Sequence, residues 1–140
     1  MKRILLFSLL LLIPLLSLFG CTQTTKIEDL SRTSYIEIHA FSPTDQSYTD
    51  YVISDFAVVD EICALLNTLT LEKVRITKPL HIDYTLIFYD HAHRQIDELI
   101  IVSENYVNYN GDLHKIADNC DLADFLASIL ATQAPQNSGE

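Results

Sequence analysis

Hydrophobic and polar residues along the chain follow two different periods. In residues 35–41 the apolar side chains Ile36, Ile38 and Ala40 occupy every second position, which predicts a half-buried β-strand. The run 82–89 is rich in β-branched and aromatic residues and is the strongest strand candidate. Five further runs have strand character, namely 48–53, 71–76, 95–102, 106–109 and 113–116. Turn residues separate these runs, and Asn110-Gly111 is typical of a tight hairpin.

Two other segments carry apolar residues at helical spacing. The first contains Val58, Val59, Ile62, Leu65, Leu66 and Leu69, and the second contains Leu122, Phe125, Leu126, Ile129 and Leu130. Ser54 or Asp55 can cap the first helix, and Asp118 or Asp121 can cap the second. The predicted order of elements is therefore β-β-α-β-β-β-β-β-α.

Strands joined by short turns favour antiparallel pairing, and each helix has to bury its apolar stripe. We therefore predict an α+β fold, in which an antiparallel meander sheet of about five to seven strands has two amphipathic helices packed on one face. This single domain is predicted to span residues 35–131. The polar segment 21–34 is predicted to be a flexible tether, and residues 132–140 a disordered tail.

The first twenty residues have a different character. Lys2 and Arg3 precede an apolar run over residues 4–19 that Pro14 interrupts. This run is shorter than the roughly 20 apolar residues that a membrane-spanning helix needs. A charged start followed by a short apolar core is typical of a secretory signal.

The end of this segment, Leu18-Phe19-Gly20-Cys21, resembles the bacterial lipobox, with an aliphatic residue at −3, a small residue at −1 and a cysteine at +1. The resemblance implies that signal peptidase II removes residues 1–20 and that the sulfur of Cys21 carries a diacylglycerol. More than one acyl chain gives stable anchoring, because each buried methylene contributes about 0.8 kcal/mol. We therefore expect a lipid-anchored protein on the outer side of the cell membrane.

The order of the remaining elements supplies a second resemblance. A helix, a strand reading Tyr84-x-x-x-Phe88-Tyr89-Asp90, an Asn-Gly turn and a terminal helix follow one another. This arrangement resembles small uncharacterised lipoproteins of Gram-positive bacteria and, more loosely, PepSY-type and β-lactamase-inhibitor-like α+β modules. The resemblance implies binding or inhibition rather than catalysis.

Charge narrows the range of partners. The formal net charge of −10 becomes −12 once Lys2 and Arg3, the only charged residues of the first twenty, are excluded. Nucleic-acid binding depends on cationic contacts to phosphates, so this charge argues against a nucleic-acid partner. It also argues against a domain lying flat on anionic lipid. A solvated acidic surface is expected, and an acidic face for a cationic partner remains an alternative.

Two cysteines remain beyond Cys21. Cys63 lies at the edge of the apolar stripe of the first predicted helix, and Cys120 lies at the start of the second. An exported protein can keep a disulfide, and a Cys63–Cys120 bridge would contribute on the order of 4 kcal/mol in the chain-entropy model. Free buried thiols are the competing interpretation.

The densest group of potential metal ligands is Asp90-His91-Ala92-His93. His91 and His93 can share one strand face and bind Zn²⁺ or Cu²⁺ if a third ligand is available. His81 begins the strand that ends near His91, roughly 30 Å away at the usual strand rise, and is therefore a poor third ligand. A hairpin tip with two solvated histidines is the competing interpretation.

The tyrosines of the predicted sheet suggest a binding surface. One face of an antiparallel sheet can pack on helices while the other remains in contact with water. If the open face carries Thr85, Tyr89 and Tyr109, it offers an amphipathic platform for a peptide or protein partner. Ordinary cross-strand packing of these side chains is the alternative.

Catalytic motifs do not appear in the sequence. It contains neither Gly-x-Ser-x-Gly nor His-Glu-x-x-His, and its three glycines form no phosphate-binding loop. We therefore expect a non-enzymatic, extracytoplasmic lipoprotein that binds a protein or peptide and carries no cofactor besides its covalent lipid. The alternative is a metal-binding lipoprotein that uses His91 and His93.

Overall fold

The fold is described from a computed structural model over residues 23–75, 80–103, 105–118 and 120–136. The predicted signal segment 1–20 and Cys21 lie outside the described residues. The strands are β1 (Thr24–Lys26), β2 (Tyr35–Ser42), β3 (Ser47–Ile53), β4 (Thr70–Lys73), β5 (Tyr84–Tyr89), β6 (Gln95–Ile101), β7 (Tyr106–Tyr109) and β8 (Asp112–Ile116), and the helices are α1 (Phe56–Thr68) and α2 (Leu122–Leu130). Over these residues, no helix combines the length and the apolar character needed to span a membrane.

Within this part of the chain the strands form one eight-stranded sheet in the order β1-β4-β8-β7-β6-β5-β2-β3. Every neighbouring pair is antiparallel, and the predicted α+β class is confirmed. The prediction of five to seven strands is too low, because β1 forms inside the segment predicted to be a tether. A simple meander describes only β5 to β8, since β2 lies beside β5 and β4 lies beside β8.

The core lies between one face of the sheet and the two helices. Ile38, Leu86, Leu99 and Tyr109 are direct neighbours across four strands and are all buried. The same buried cluster includes Val59, Ile62 and Leu66 of α1 and Leu122, Leu126 and Ile129 of α2. Both helices therefore bury their apolar stripes against the same side of the sheet.

Local signals set the ends of the helices and the last hairpin. Of the two possible caps for each helix, Asp55 accepts hydrogen bonds from the first turn of α1, and Asp121 does so for α2. Asn110 and Gly111 connect β7 to β8 with φ angles of 53° and 80°. Positive φ at both positions is the requirement of a type I′ hairpin turn, as the Asn-Gly pair predicts.

Residues 23–34, called the docked segment below, are packed against the domain, so the prediction of a flexible tether over 21–34 is wrong for them. Thr24–Lys26 pairs in register with β4. Ile27 and Leu30 then enter the core with relative exposures of 6% and 1%. The Glu28 N–H donates to the Tyr109 hydroxyl at 2.9 Å. Two apolar side chains in a polar stretch are too few to show a period, which is why the pattern does not reveal this segment.

The other end of the chain also contacts the domain. The prediction of a disordered tail covers residues 132–140, of which 137–140 lie outside the described residues. The Gln136 N–H donates to the Asp50 carbonyl at 2.8 Å and forms a single bridge to the edge of β3. The tail therefore begins with an ordered contact, and the prediction is wrong for the residues up to 136.

Candidate functional site

The side of the sheet that faces away from the helices is the candidate site, and we call it the open face. Cross-strand register and alternation place on it Tyr35, Glu37, His39, Phe41, Tyr48, Asp50, Val52, Thr85, Ile87, Tyr89, Glu98, Ile100, Asn108 and Leu113. None of these side chains belongs to the buried core cluster or packs against it. The open face is therefore a second apolar and aromatic surface, separate from the core.

A stacked aromatic pair occupies one end of the open face. Tyr35 and Tyr89 are direct cross-strand neighbours whose ring centroids lie 4.7 Å apart with an interplanar angle of 6°. The Tyr89 hydroxyl donates to the Glu37 carboxylate at 3.0 Å. Burial raises the pKa of Tyr89, and the hydrogen bond to Glu37 adds to this rise. The pair therefore stays neutral at physiological pH and presents a fixed aromatic surface beside a carboxylate.

A polar row crosses the middle of the open face. His39 lies between Asp50 on β3 and Thr85 on β5 in direct cross-strand register. His39 Nδ1 donates to Asp50 Oδ1 at 2.6 Å, because an ionised carboxylate can only accept. Asp50 thus fixes the orientation of the imidazole, and its ring can present Nε2 to a ligand.

A shallow groove adjoins this row on β6 and β7. Its volume is about 600 Å³, and its lining includes Gln95, Glu98, Ile100, Asn108, Asn110 and Gly111. The amide side chains can donate to and accept from a peptide backbone, while Glu98 favours a cationic group. Ile100 supplies an apolar contact between them.

Two of the three residues predicted for the binding face lie on it. Thr85 and Tyr89 are on the open face, four residues apart on β5. Tyr109 does not lie on the open face, so the prediction that it belongs to the binding face is wrong. Its side chain is buried in the core, with a relative exposure of 1%. Its hydroxyl donates to Asp97 Oδ2 at 2.9 Å while it accepts from the Glu28 N–H. A tyrosine at a strand end gives no sequence signal of this role, since the partner from the docked segment is 81 residues away.

The histidine pair proposed for metal binding lies at the β5–β6 turn. His91 is exposed, whereas His93 adopts a φ of 56° and places Nδ1 3.1 Å from the Tyr35 hydroxyl. Across the described ranges, no three His, Cys, Asp or Glu side chains converge as a metal site would require. The structure therefore does not bring a third ligand to His91 and His93.

Asp90 explains why this turn is ordered. Its carboxylate accepts from the N–H groups of Ala92 and Arg94 and from the Arg94 guanidinium. These contacts, with the Arg94 N–H as the largest contribution, lower the pKa of Asp90 from 3.8 to about 2. The turn thereby holds His93 against Tyr35 at the rim of the open face.

Cys63 and Cys120 are both free thiols in the structure, so the predicted alternative of a disulfide is not what it contains. Burial raises the pKa of both thiols, and Asp121 adds to the rise at Cys120. Cys63 lines a cavity of about 230 Å³ between α1 and the docked segment. Raised pKa values disfavour thiolate formation, so neither cysteine has the environment of a nucleophile.

Sequence reasoning missed the His39–Asp50 pair and the groove on β6 and β7. The alternation of residues 35–41 does contain a usable signal, because it places His39 on the face opposite Ile36 and Ile38. The partner of His39 depends on the register of the β2–β3 hairpin, which the alternation alone does not fix.

Comparison with protein-family models, with curated proteins and with solved structures finds no match to this chain. Its function is therefore argued from the geometry of its own residues.

Proposed function

We propose that this chain is a lipid-anchored, extracytoplasmic binding module without enzymatic activity, and that its open face binds a protein or peptide. The observation that carries the proposal is the aromatic and aliphatic surface on the side of the sheet opposite the helices. Val52, Ile87 and Ile100 are half-buried there, yet they take no part in the core. Apolar surface of this kind, rimmed by polar groups, is typical of interaction sites.

The charge of the open face favours a partner with basic groups. Glu37, Asp50 and Glu98 lie on β2, β3 and β6, while the lysines on the same side, Lys26 and Lys115, lie on β1 and β8. A peptide that crosses the open face from β6 to the β3 edge would meet three carboxylates around an aromatic and aliphatic centre. Arginine or lysine side chains could pair with these carboxylates, and complementary charge improves both specificity and association rate.

Lipid anchoring rests on the Leu18-Phe19-Gly20-Cys21 sequence. Mass spectrometry of the amino terminus from native membranes tests it directly. We expect a chain that begins at Cys21 and carries a diacylglycerol. An unmodified Met1, or cleavage at another residue, would contradict this part of the proposal.

Binding through the open face is tested by capture from native membranes with two matched variants. Ile87→Ala combined with Ile100→Ala removes apolar side chains from the centre of the open face. Phe56→Ala removes an equally apolar side chain that is 81% exposed at the start of α1, away from the open face. Circular dichroism is used to confirm that both variants are folded.

We expect the partner captured by the unaltered chain to be lost from the Ile87/Ile100 double variant and retained by Phe56→Ala. Retention of the partner by both variants would refute binding at the open face. Failure of the unaltered chain to capture any protein or peptide would also count against the proposed role.

A further inference from the structure

The docked segment restricts how the domain can lie relative to a membrane. β1 begins at Thr24, and the Lys73 N–H donates to the Gln23 carbonyl at 3.2 Å. Only two residues of chain lead from Cys21 to Gln23, and at about 3.5 Å per residue they span no more than about 7 Å. Ser34 closes the docked segment by donating its N–H to the Tyr89 carbonyl at 2.8 Å.

This distance is about the thickness of one headgroup layer, since a bilayer of 40–45 Å has a hydrocarbon core of about 30 Å. A lipid on Cys21 therefore brings β1 to the level of the headgroups instead of holding the domain away from them. β1 is an edge strand, and β3 is the edge at the other side of the sheet. Seven strand spacings of about 4.8 Å separate the two edges, or about 34 Å along the sheet.

The basic residues of the sheet are concentrated towards the same edge, the one that β1 forms. Four exposed cations lie on β1, β4 and β8 or within two residues of them, namely Lys26, Lys73, Arg75 and Lys115. At this edge Lys73 is paired with Asp112 at 2.6 Å, and Glu72 lies opposite Lys115 in the register. Glu28 and Asp29 follow β1, and Asp118 accepts from the Thr70 N–H of β4, so this edge is close to neutral whereas the opposite edge is acidic. Within the described part of the chain, Lys26, Arg75 and Lys115 form no salt bridge.

The opposite edge of the sheet has no such cations. Residues 33–71, which include β2, β3 and α1, contain six acidic residues and no lysine or arginine. An anionic membrane surface attracts basic groups that lie within a Debye length of it and repels acidic ones. The anchor position and the charge distribution therefore favour the same orientation.

We infer that the edge formed by β1, β4 and β8 contacts anionic lipid headgroups and that the domain stands on the membrane by this edge. The inference rests on the proposed lipid anchor at Cys21. In this orientation the β3 edge is farthest from the membrane, and the open face is accessible from the side.

The test uses the lipidated chain in vesicles of phosphatidylglycerol and phosphatidylcholine. Cys63→Ala and Cys120→Ser remove the native thiols, and a fluorophore is attached at Thr24→Cys on β1 or at Ser47→Cys on β3, both exposed positions. Energy transfer to a headgroup-labelled lipid reports the distance of each position from the bilayer surface. We expect strong transfer from position 24 and several-fold weaker transfer from position 47.

Two further variants separate the contributions of chain length and charge. A twelve-residue Gly-Ser insertion between Thr22 and Gln23 should abolish the difference between the two labelled positions. Lys26→Gln combined with Arg75→Gln should reduce transfer from position 24, whereas Arg94→Gln, at the β5–β6 turn, should not.

Equal transfer from both positions, or a difference that persists after the insertion, would overturn the orientation. An unchanged signal in the Lys26/Arg75 double variant would overturn the contact with anionic headgroups. The mass of the amino terminus is measured on the same sample. A lipidated chain with equal transfer refutes the orientation alone, whereas a chain without lipid on Cys21 refutes the anchor and the orientation together.

Discussion

Replacing Leu30 by alanine tests whether the docked segment belongs to the folded domain. The side chain of Leu30 is 1% exposed and part of the core cluster. The substitution deletes three carbons, for which transfer alone gives about 2.4 kcal/mol at about 0.8 kcal/mol per methylene. Leucine-to-alanine changes in cores cost about 2–5 kcal/mol once the cavity is included. Because Leu30 already borders the cavity beside Cys63, we expect about 3 kcal/mol, in the lower half of this range.

Urea denaturation followed by circular dichroism measures this loss in residues 21–140 with Cys21→Ser. With a denaturant slope of about 1.5 kcal/mol per molar, the midpoint should fall by about 2 M. Arg32→Ala is the matched control, because Arg32 is exposed in the same segment and should change the free energy of unfolding by less than about 0.5 kcal/mol. If the two variants unfolded at the same midpoint, the segment would be a tether and the reasoning would be refuted.

Three further predictions concern single residues. Tyr109→Phe removes the hydroxyl that joins Glu28 to Asp97 and should lower the free energy of unfolding by about 1–3 kcal/mol, measured by urea denaturation against Tyr106→Phe as control. Gly111→Ala should cost about 1–2 kcal/mol through its φ of 80° alone, since no atom lies within 4 Å of the added carbon; an unchanged melting temperature would contradict this. Asp90→Asn should destabilise the domain at neutral pH. This loss of stability should shrink as the pH falls from about 4 towards 2. Because folding lowers the pKa of Asp90 from 3.8 to about 2, the stability that its carboxylate contributes is fully present above pH 3.8 and is lost as the pH falls through about 2. Thermal melts at a series of pH values measure the deficit, and a constant difference would exclude the carboxylate as its source.

The docked segment would also change how the proposed lipid anchor at Cys21 operates. A flexible tether over residues 21–34 would let the domain rotate freely above the membrane, whereas a segment paired with β4 allows little rotation. Tyr109 strengthens this attachment, because its hydroxyl connects the segment to β6 through Asp97. A partner would then approach a domain of defined orientation, which reduces the rotational freedom lost on binding.

Much of the fold follows from the sequence alone. The period-two run of residues 35–41, the two helical stripes and the Asn110-Gly111 turn each predict an element that the structure contains. These signals are local, because alternation, helical spacing and turn chemistry depend on residues a few positions apart. The same local chemistry supplies Asp55 and Asp121 as helix caps.

The assignment of residues to the two faces of the sheet required the tertiary structure. Tyr89 and Tyr109 both occupy the last position of a strand, yet one lies on the open face and the other in the core. The face of the sheet on which each tyrosine lies depends on the register between strands, and a register shift of one residue moves a side chain to the other face. The Tyr109 hydroxyl also accepts a hydrogen bond from the Glu28 N–H, a partner that no local pattern indicates.

Strand β1, which the sequence does not predict, is the clearest case of a feature that only the tertiary structure decided. Thr24–Lys26 has no apolar period, and its pairing energy comes from the exposed backbone edge of β4 and from the burial of Ile27 and Leu30 that follows. The β4 residues that pair with this strand lie 44 or more residues away along the chain, and the two strands come together only when the sheet forms. The sequence by itself determined the periodic elements and the lipobox resemblance of Leu18 to Cys21. Long-range pairing decided how closely the domain follows Cys21, because a strand edge can bind a segment that has no pattern of its own.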